Sequence, residues 1–190
     1  MLADARALLP EVTWVEADVT TYQPDEAPDL LFTNALLHWV PDHETVVPRL
    51  FGLVAPGGTF AMQVPDKWDE PSHTIGFEIA RQDRWREALD GALAEHPLLT
   101  EAQYLDLLLP VAADVDLWTT TYHHVLEGPD PVVEWFLGSF LRAFLSRLPD
   151  DEGAAFVQQY AEAMREAYPP RDDGRTVMPF PRLFLVARAR

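Results

Sequence analysis

The feature that most constrains this chain is a strand–helix–strand pattern between residues 29 and 64. Leu30, Leu31 and Phe32 are contiguous and apolar within the run Asp29-Leu30-Leu31-Phe32-Thr33-Asn34, as expected of a parallel strand covered on both faces. Pro41 and Asp42 open a predicted helix reaching about Ala55, with the Asp42 side chain expected to accept from first-turn amides. Pro48 lies within it and is expected to bend it or delay its start. Pro56-Gly57-Gly58 stops the helix, because a reversal this tight favours positive φ, and residues 59–64 read as the next strand. Parallel strands joined through a helix commit the chain to an α/β sheet.

Upstream, Leu2, Ala5, Leu8 and Leu9 share one side of a predicted helix over 1–9, and Pro10 ends it. Residues 12–16 read as a short strand closed by Ala17 and Asp18. The connection at 19–28 is too lean for the dozen or more residues that a right-handed parallel crossover needs. Either these two strands are not neighbours, or an element that once separated them is missing. The pattern reads as the second half of a nucleotide-binding α/β unit without its glycine-rich loop.

The remainder is more helical. Phe77, Ala80, Trp85, Ala88 and Leu89 predict a long amphipathic helix over 73–94, and Thr100 with Gln103 predicts a capping box for a helix at 101–109. Alternation of Val115, Leu117, Thr119 and Thr121 with polar neighbours predicts an edge strand at 114–122. Asp130-Pro131 marks a helix start, followed by helices near 139–147 and 150–168. Asp172-Asp173-Gly174 is a turn before a final strand at 182–188. One domain over 1–190 accounts for this, with residues 125–170 as a helical lid.

Composition removes several classes of chemistry. The absence of cysteine excludes disulfides, thiolate metal sites and cysteine nucleophiles. A formal net charge of −17 argues against nucleic acid or an anionic membrane as partner, yet a few focused arginines can still hold a small anion. No apolar run is long enough to span a bilayer and no signal peptide is recognisable, so the cytoplasm is the expected location. His38, His43, His73, His96, His123 and His124 show no metal-ligand spacing. Neither a G-x-S-x-G elbow nor a G-x-G-x-x-G or Walker loop is present.

Ligands of open α/β sheets lie beyond the carboxyl ends of the strands. Three ends qualify. Asp18 could accept from an adenine amino group or from backbone amides, or be a surface acid. Asn34 leaves the most apolar strand toward the ligand region, or forms a turn, and Trp39 offers either a flat binding face or packing. Val64-Pro65-Asp66 is the third. Among Arg81, Arg84, Arg142 and Arg182, Arg142 stands between Phe140 and Phe144 in the proposed lid. There it could clamp a carboxylate with a bidentate fork, or extend to solvent.

Several of these segments together resemble the trans-aconitate 2-methyltransferase family, class I S-adenosylmethionine-dependent enzymes. They are Glu16-Ala17-Asp18, Asp29 through His43, Pro56-Gly57-Gly58, the Pro65–His73 loop, Trp118 through His124, and Phe180 through Phe184. The resemblance implies a Rossmann-like fold with strand order 3-2-1-4-5-7-6 and an antiparallel last strand. Residues 12–16, 29–34, 59–64, 114–122 and 182–188 would be strands 3 to 7. Strands 1 and 2 have no counterpart, so the fold is expected to be N-terminally truncated and mostly parallel with a helical lid. The resemblance further implies S-adenosylmethionine as cofactor, near Asp18 and Asn34, and a small anionic carboxylate as substrate, with Trp39, Arg142 and Arg182 as reasonable pocket residues. A carboxylate has a reference pKa of about 4 and arrives ionised, so no general base is needed and positioning supplies the rate. The full-length protein is expected to be a monomer. The chain as it stands is expected to associate and to show little or no activity. Methylation of another small molecule, or a non-enzymatic remnant or binding module, are the rival readings.

Overall fold

The computed structural model describes residues 2–92 and 98–190. Met1, residues 93–94 of the predicted long helix, and His96 lie outside the described residues. Helix α1 (Leu2–Leu8) precedes the segment expected to be a strand at 12–16, which carries no pairing. A strand exists by its ladder, and among the described residues no other edge meets this one. Its contacts are local: Trp14 donates its indole N–H to the Leu9 carbonyl at 3.1 Å, and Arg6 donates to the Trp14 carbonyl at 3.3 Å.

Strands β1 (Leu30–Asn34), β2 (Thr59–Pro65), β3 (Ala112–Leu126) and β4 (Thr176–Ala189) form one sheet in the order β1-β2-β4-β3. The first three run one way and β4 runs against them. This is the expected antiparallel last strand, inserted between β2 and β3. Helix α2 (His43–Phe51) crosses from β1 to β2 and buries Val46, Val47 and Leu50. It ends short of Ala55, and Asp42 does not cap it as expected. With φ 59° and ψ 55°, Asp42 lacks the extended backbone of a side-chain cap, and its carbonyl receives Thr45 and Val46 instead. Gly57 takes φ 77°. A Cβ on Gly58 would sit 2.7 Å from the Asp29 carbonyl, so β1 and the turn approach closely only around glycine.

The long helix expected at 73–94 is broken into α3 (Pro71–Ala80), α4 (Arg86–Leu89) and a 3₁₀ turn, Asp90–Ala92. Trp85 explains the break. Its ring is buried, and its indole N–H donates to Glu152 at 2.7 Å while Arg84 grips the same carboxylate at 2.8 and 3.1 Å. Tertiary anchoring ends a helix that periodicity alone would extend. Helix α5 (Glu101–Leu108) carries the expected Thr100–Gln103 capping box.

Strands β3 and β4 outrun their predicted lengths and continue as a two-stranded ribbon to the pair Leu126–Thr176. Pro179 and Pro181 concealed this, since proline removes a ladder donor. Both lie beyond the end of β2, where the missing N–H faces no strand. At the ribbon's far end sit α6 (Pro131–Leu137), the single turn α7 (Arg142–Leu145) and α8 (Asp150–Ala167). The helix expected at 139–147 is thus four residues long. Asp130 precedes Pro131 as expected, but its carboxylate forks with Arg165 of α8 at 2.7 and 2.8 Å rather than capping.

Two apolar cores result. One lies between the sheet and helices α2 and α5, around Phe60, Met62, Leu50, Leu108 and Leu185. The other joins α6–α8 to α3 and α4 through Phe77, Trp85, Phe136, Phe144, Phe156 and Tyr160. The helical cap therefore draws in residues from 71 onward, well before the expected lid. No described helix is long and apolar enough to cross a membrane.

Candidate active site

The carboxyl ends of β1 and β2 meet the cap around a cavity of about 810 Å³. After β1 the chain turns at Ala35, whose φ of 50° is unusual for a residue with a side chain. It then enters a 3₁₀ turn, Leu37–Trp39. Leu37 is fully buried and anchors the turn, which leaves His38 and Trp39 on the cavity wall. After β2 come Pro65, Lys67 and Trp68, and the cap contributes Phe136, Phe140 and Phe144. Among the described residues, the two non-glycine residues with positive φ, Ala35 and Asp42, bracket the β1 end of this cavity. Backbone strain of that kind gathers where geometry serves a ligand.

The wall is largely aromatic, and its described charged groups are Lys67 and the acids Asp42 and Glu44 at the β1 end. His73 lies 4.1 Å from Phe140 and edge-on to Phe136 at 5.2 Å, ring centre to ring centre, with Nδ1 3.1 Å from the Ser72 hydroxyl. Burial, reinforced by the charge on Lys67, holds the His73 pKa at about 3. Burial likewise holds His38 at about 4, with help from Arg182 and His43. Both rings are neutral at pH 7. Lys67 is 3 % exposed and donates to the Pro179 carbonyl at 3.0 Å. Burial lowers its pKa to about 8, against the pull of Glu70, so it is mostly charged at neutral pH.

A second cavity of about 260 Å³ lies on the sheet face beside Asn34, Gln63, Tyr122 and Arg182, floored by Phe32 and Phe184. Arg182 donates to Gln63 Oε1 at 3.2 Å. That bond fixes the amide, and Gln63 Nε2 is buried without a partner. Gln63 Nε2 in the small cavity and His38 Nδ1 on the wall of the large one are thus buried polar atoms facing candidate ligand space, whereas the unpaired Thr33 Oγ1 lies on the opposite, core face of β1.

The predicted site residues divide among these surroundings. Trp39, 67 % exposed, stands at the mouth of the large cavity and leans on His38 at 4.6 Å. Asn34 and Arg182 line the small one. Asp18 lines neither. It is exposed in a turn, where its carboxylate accepts from the Thr20 amide and hydroxyl at 2.8 and 2.7 Å. Arg49 ties that turn to α2 through the carbonyls of Val19 and Tyr22. Arg142 is exposed and lies outside the lining, whereas Ser139, Phe140, Ala143 and Phe144 belong to it. The turn of α7 aims its aromatic side inward and its arginine outward. Lys67 was overlooked in favour of the arginines, although a signal existed: it is the only lysine in the sequence.

Comparison with known proteins adds an independent line. A family model described as "Methyltransferase domain" matches residues 1–62. A trans-aconitate 2-methyltransferase of Methylobacterium radiotolerans is 46 % identical over 191 residues, which cover 99 % of this chain and 74 % of that protein. Its counterpart in Paracidovorax citrulli is 45 % identical with the same coverage. The chain thus spans about three quarters of the length of these relatives. Among solved structures, YcgJ of Bacillus subtilis superposes with a TM-score of 0.55 at 10 % identity, covering all of this chain and 77 % of that one. That likeness speaks to the fold alone.

Proposed function

We propose that this chain, which belongs to the trans-aconitate 2-methyltransferase family, places a carboxylate of trans-aconitate for methylation by S-adenosylmethionine, giving the monomethyl ester. The observation that carries the reading is the capped aromatic cavity at the carboxyl ends of β1 and β2, with a cation and neutral histidines in its wall. S-adenosylmethionine, when bound, supplies an electrophilic methyl group on a sulfonium. The residues present fit one end of it. Asn34, the backbone turn at Ala35 and the unpaired Gln63 amide offer polar atoms at the β1 end, where an amino-acid moiety would be held. For the nucleoside there is less: Asp18 lines neither cavity, and the sequence holds no glycine-rich loop.

The acceptor side is more fully built. An ionised carboxylate is already a nucleophile, so the wall needs to orient it and exclude water rather than remove a proton. Phe136, Phe140 and Phe144 supply the dry roof, and Trp39 the flat face at the entrance. Neutral His38 and His73 can give directed hydrogen bonds without neutralising the attacking oxygen. The partner is thus a small polyanion, met by Lys67, the one Lys or Arg in a described lining that also carries Asp42 and Glu44.

Methyl-labelled S-adenosylmethionine and a panel of carboxylic acids test this. Turnover is expected to be low, with label appearing in the monoester of trans-aconitate ahead of any monocarboxylic acceptor. Preferential labelling of a monocarboxylate would overturn the proposal, and so would the absence of labelled ester together with no saturable binding of trans-aconitate by calorimetry.

A further inference from the structure

A buried ammonium ion is costly unless charge or hydrogen bonds replace its water. Lys67 has little of either in a chain whose acids outnumber its bases 31 to 14. Among the described residues its three donors are met by one carbonyl, that of Pro179 at 3.0 Å. Two ring faces lie against it, Phe180 at 4.4 Å and Phe136 at 5.1 Å from ring centre to Nζ. Among the described residues the ion pairs leave Lys67 out.

The placement is built, not incidental. A strand residue presents its N–H and C=O to the same side. Pro181 accepts from the Asp66 amide on the β2 side, so Pro179, two residues earlier, turns its carbonyl to the same free edge. Pro179 has no N–H to offer there, and the edge is purely accepting. Lys67, two residues past the end of β2, occupies it and also lines the large cavity. The charged and titratable groups around it come from each neighbouring element: Glu70 from its own loop, His73 from α3, His124 from β3 and Arg182 from β4. Burial and the Lys67 charge keep His73 neutral, and burial with Arg182 and Lys67 lowers His124 too. Neither ring therefore competes with Lys67 as the local cation at pH 7.

We infer that Lys67 is a specificity-determining residue of the acceptor site, its ammonium pairing with a carboxylate of the substrate other than the one that is methylated. Pairing withdraws electron density from a carboxylate, so the paired group is the poorer nucleophile and the unpaired one reacts. The inference rests on the reading that the acceptor carries several carboxylates. A monocarboxylate has nothing to give Lys67 without surrendering its reacting oxygen.

Because Lys67 is the sole lysine, labelling with lysine carrying ¹³C at Cε yields one side-chain resonance. Its pH titration without ligand is expected to centre near 8, as burial dictates, and saturating trans-aconitate should move the midpoint up by about one unit or more. Lys67→Met is expected to weaken trans-aconitate binding roughly 10- to 100-fold, with Lys67→Arg recovering part of the loss. A monocarboxylate should bind wild type and Lys67→Met alike. If trans-aconitate binds while the resonance stays still and Lys67→Met keeps its Kd, Lys67 is only a tie to Pro179 and the inference fails. It fails equally if no polycarboxylate moves the resonance. Should tricarballylate shift it while trans-aconitate does not bind, the charge-reading role of Lys67 stands and the proposed substrate falls. The wild-type titration is decisive even if a variant misfolds.

Discussion

The two faces of the sheet obey the same alternation and meet opposite fates. On one, Phe60, Met62, Val64, Leu183, Leu185 and Ala187 are buried beneath α2 and α5. On the other, Leu30, Phe32 and Trp118 remain 59, 65 and 40 % exposed, with Trp118 stacked on Phe184 at 5.1 Å. The contrast runs along a single strand. Phe180, Arg182 and Phe184 share one side of β4 by their two-residue spacing. The cap buries Phe180, Arg182 marks the boundary, and Phe184 looks onto the small open cavity. Apolar character is the same on both sides of that boundary; only the covering differs. The large cavity is enclosed because it lies on the capped side, and the small pocket around Asn34 is open because it lies on the bare one.

Mutating the two faces in parallel should give the largest contrast. Phe60→Ala is expected to cost about 3–5 kcal/mol, the usual range for emptying a buried phenylalanine site, whereas Phe32→Ala should change stability by less than about 0.5 kcal/mol. Urea unfolding measures both. A loss above about 1 kcal/mol at position 32 would mean that the bare face is covered in solution.

Acid probes the capped side. His38 and His73 have folded pKa values of about 4 and about 3 against an unfolded value near 6.5. Their neutral forms are therefore favoured by folding, and stability is complete above pH 6.5 and lost as pH falls toward 4. At pH 5 the loss should reach up to about 2 kcal/mol per ring. Comparing urea midpoints at pH 7 and pH 5 tests this, and His73→Phe should flatten the difference. An unchanged midpoint would show that these rings are wetter than the cavity suggests.

The smallest effect should come from making the bare face polar. Phe32→Ser is expected to leave the far-UV spectrum unchanged and to lower the fluorescence of bound anilinonaphthalene sulfonate, since a contiguous exposed apolar patch is where such dyes bind. Undiminished fluorescence would place the dye in the capped cavity instead.

Much of the frame was legible in residues alone. The strands expected at 29–34 and 59–64 stand at Leu30–Asn34 and Thr59–Pro65, and the Thr100–Gln103 box is present, each set by contacts within a few residues. The helix between these strands ends at Phe51, before Pro56-Gly57-Gly58, and Leu30 and Phe32 lie open where covering on both faces was expected. The errors are those of distant partners. Residues 12–16 have strand-like composition without a ladder, and Trp85 breaks a periodic helix to reach Glu152. Ribbon residues 176–181 look unfit for a strand until one sees that Pro179 and Pro181 face a free edge. At the site, Trp39 was visible as an aromatic after a strand end. Lys67 was visible only as the sole lysine; its meaning depends on Pro179, more than a hundred residues away.

Sequence by itself determined the α/β class, the parallel pair, the acidic surface and the membership of the chain in its family. Local propensity and apolar spacing act over a few bonds, and identity is carried residue by residue. Tertiary structure alone decided which face of each strand is dry, and hence which titratable groups are neutral and which cation confronts the cavity. Desolvation depends on everything that surrounds a group, and what surrounds Lys67 arrives from α3, α6, β3 and β4.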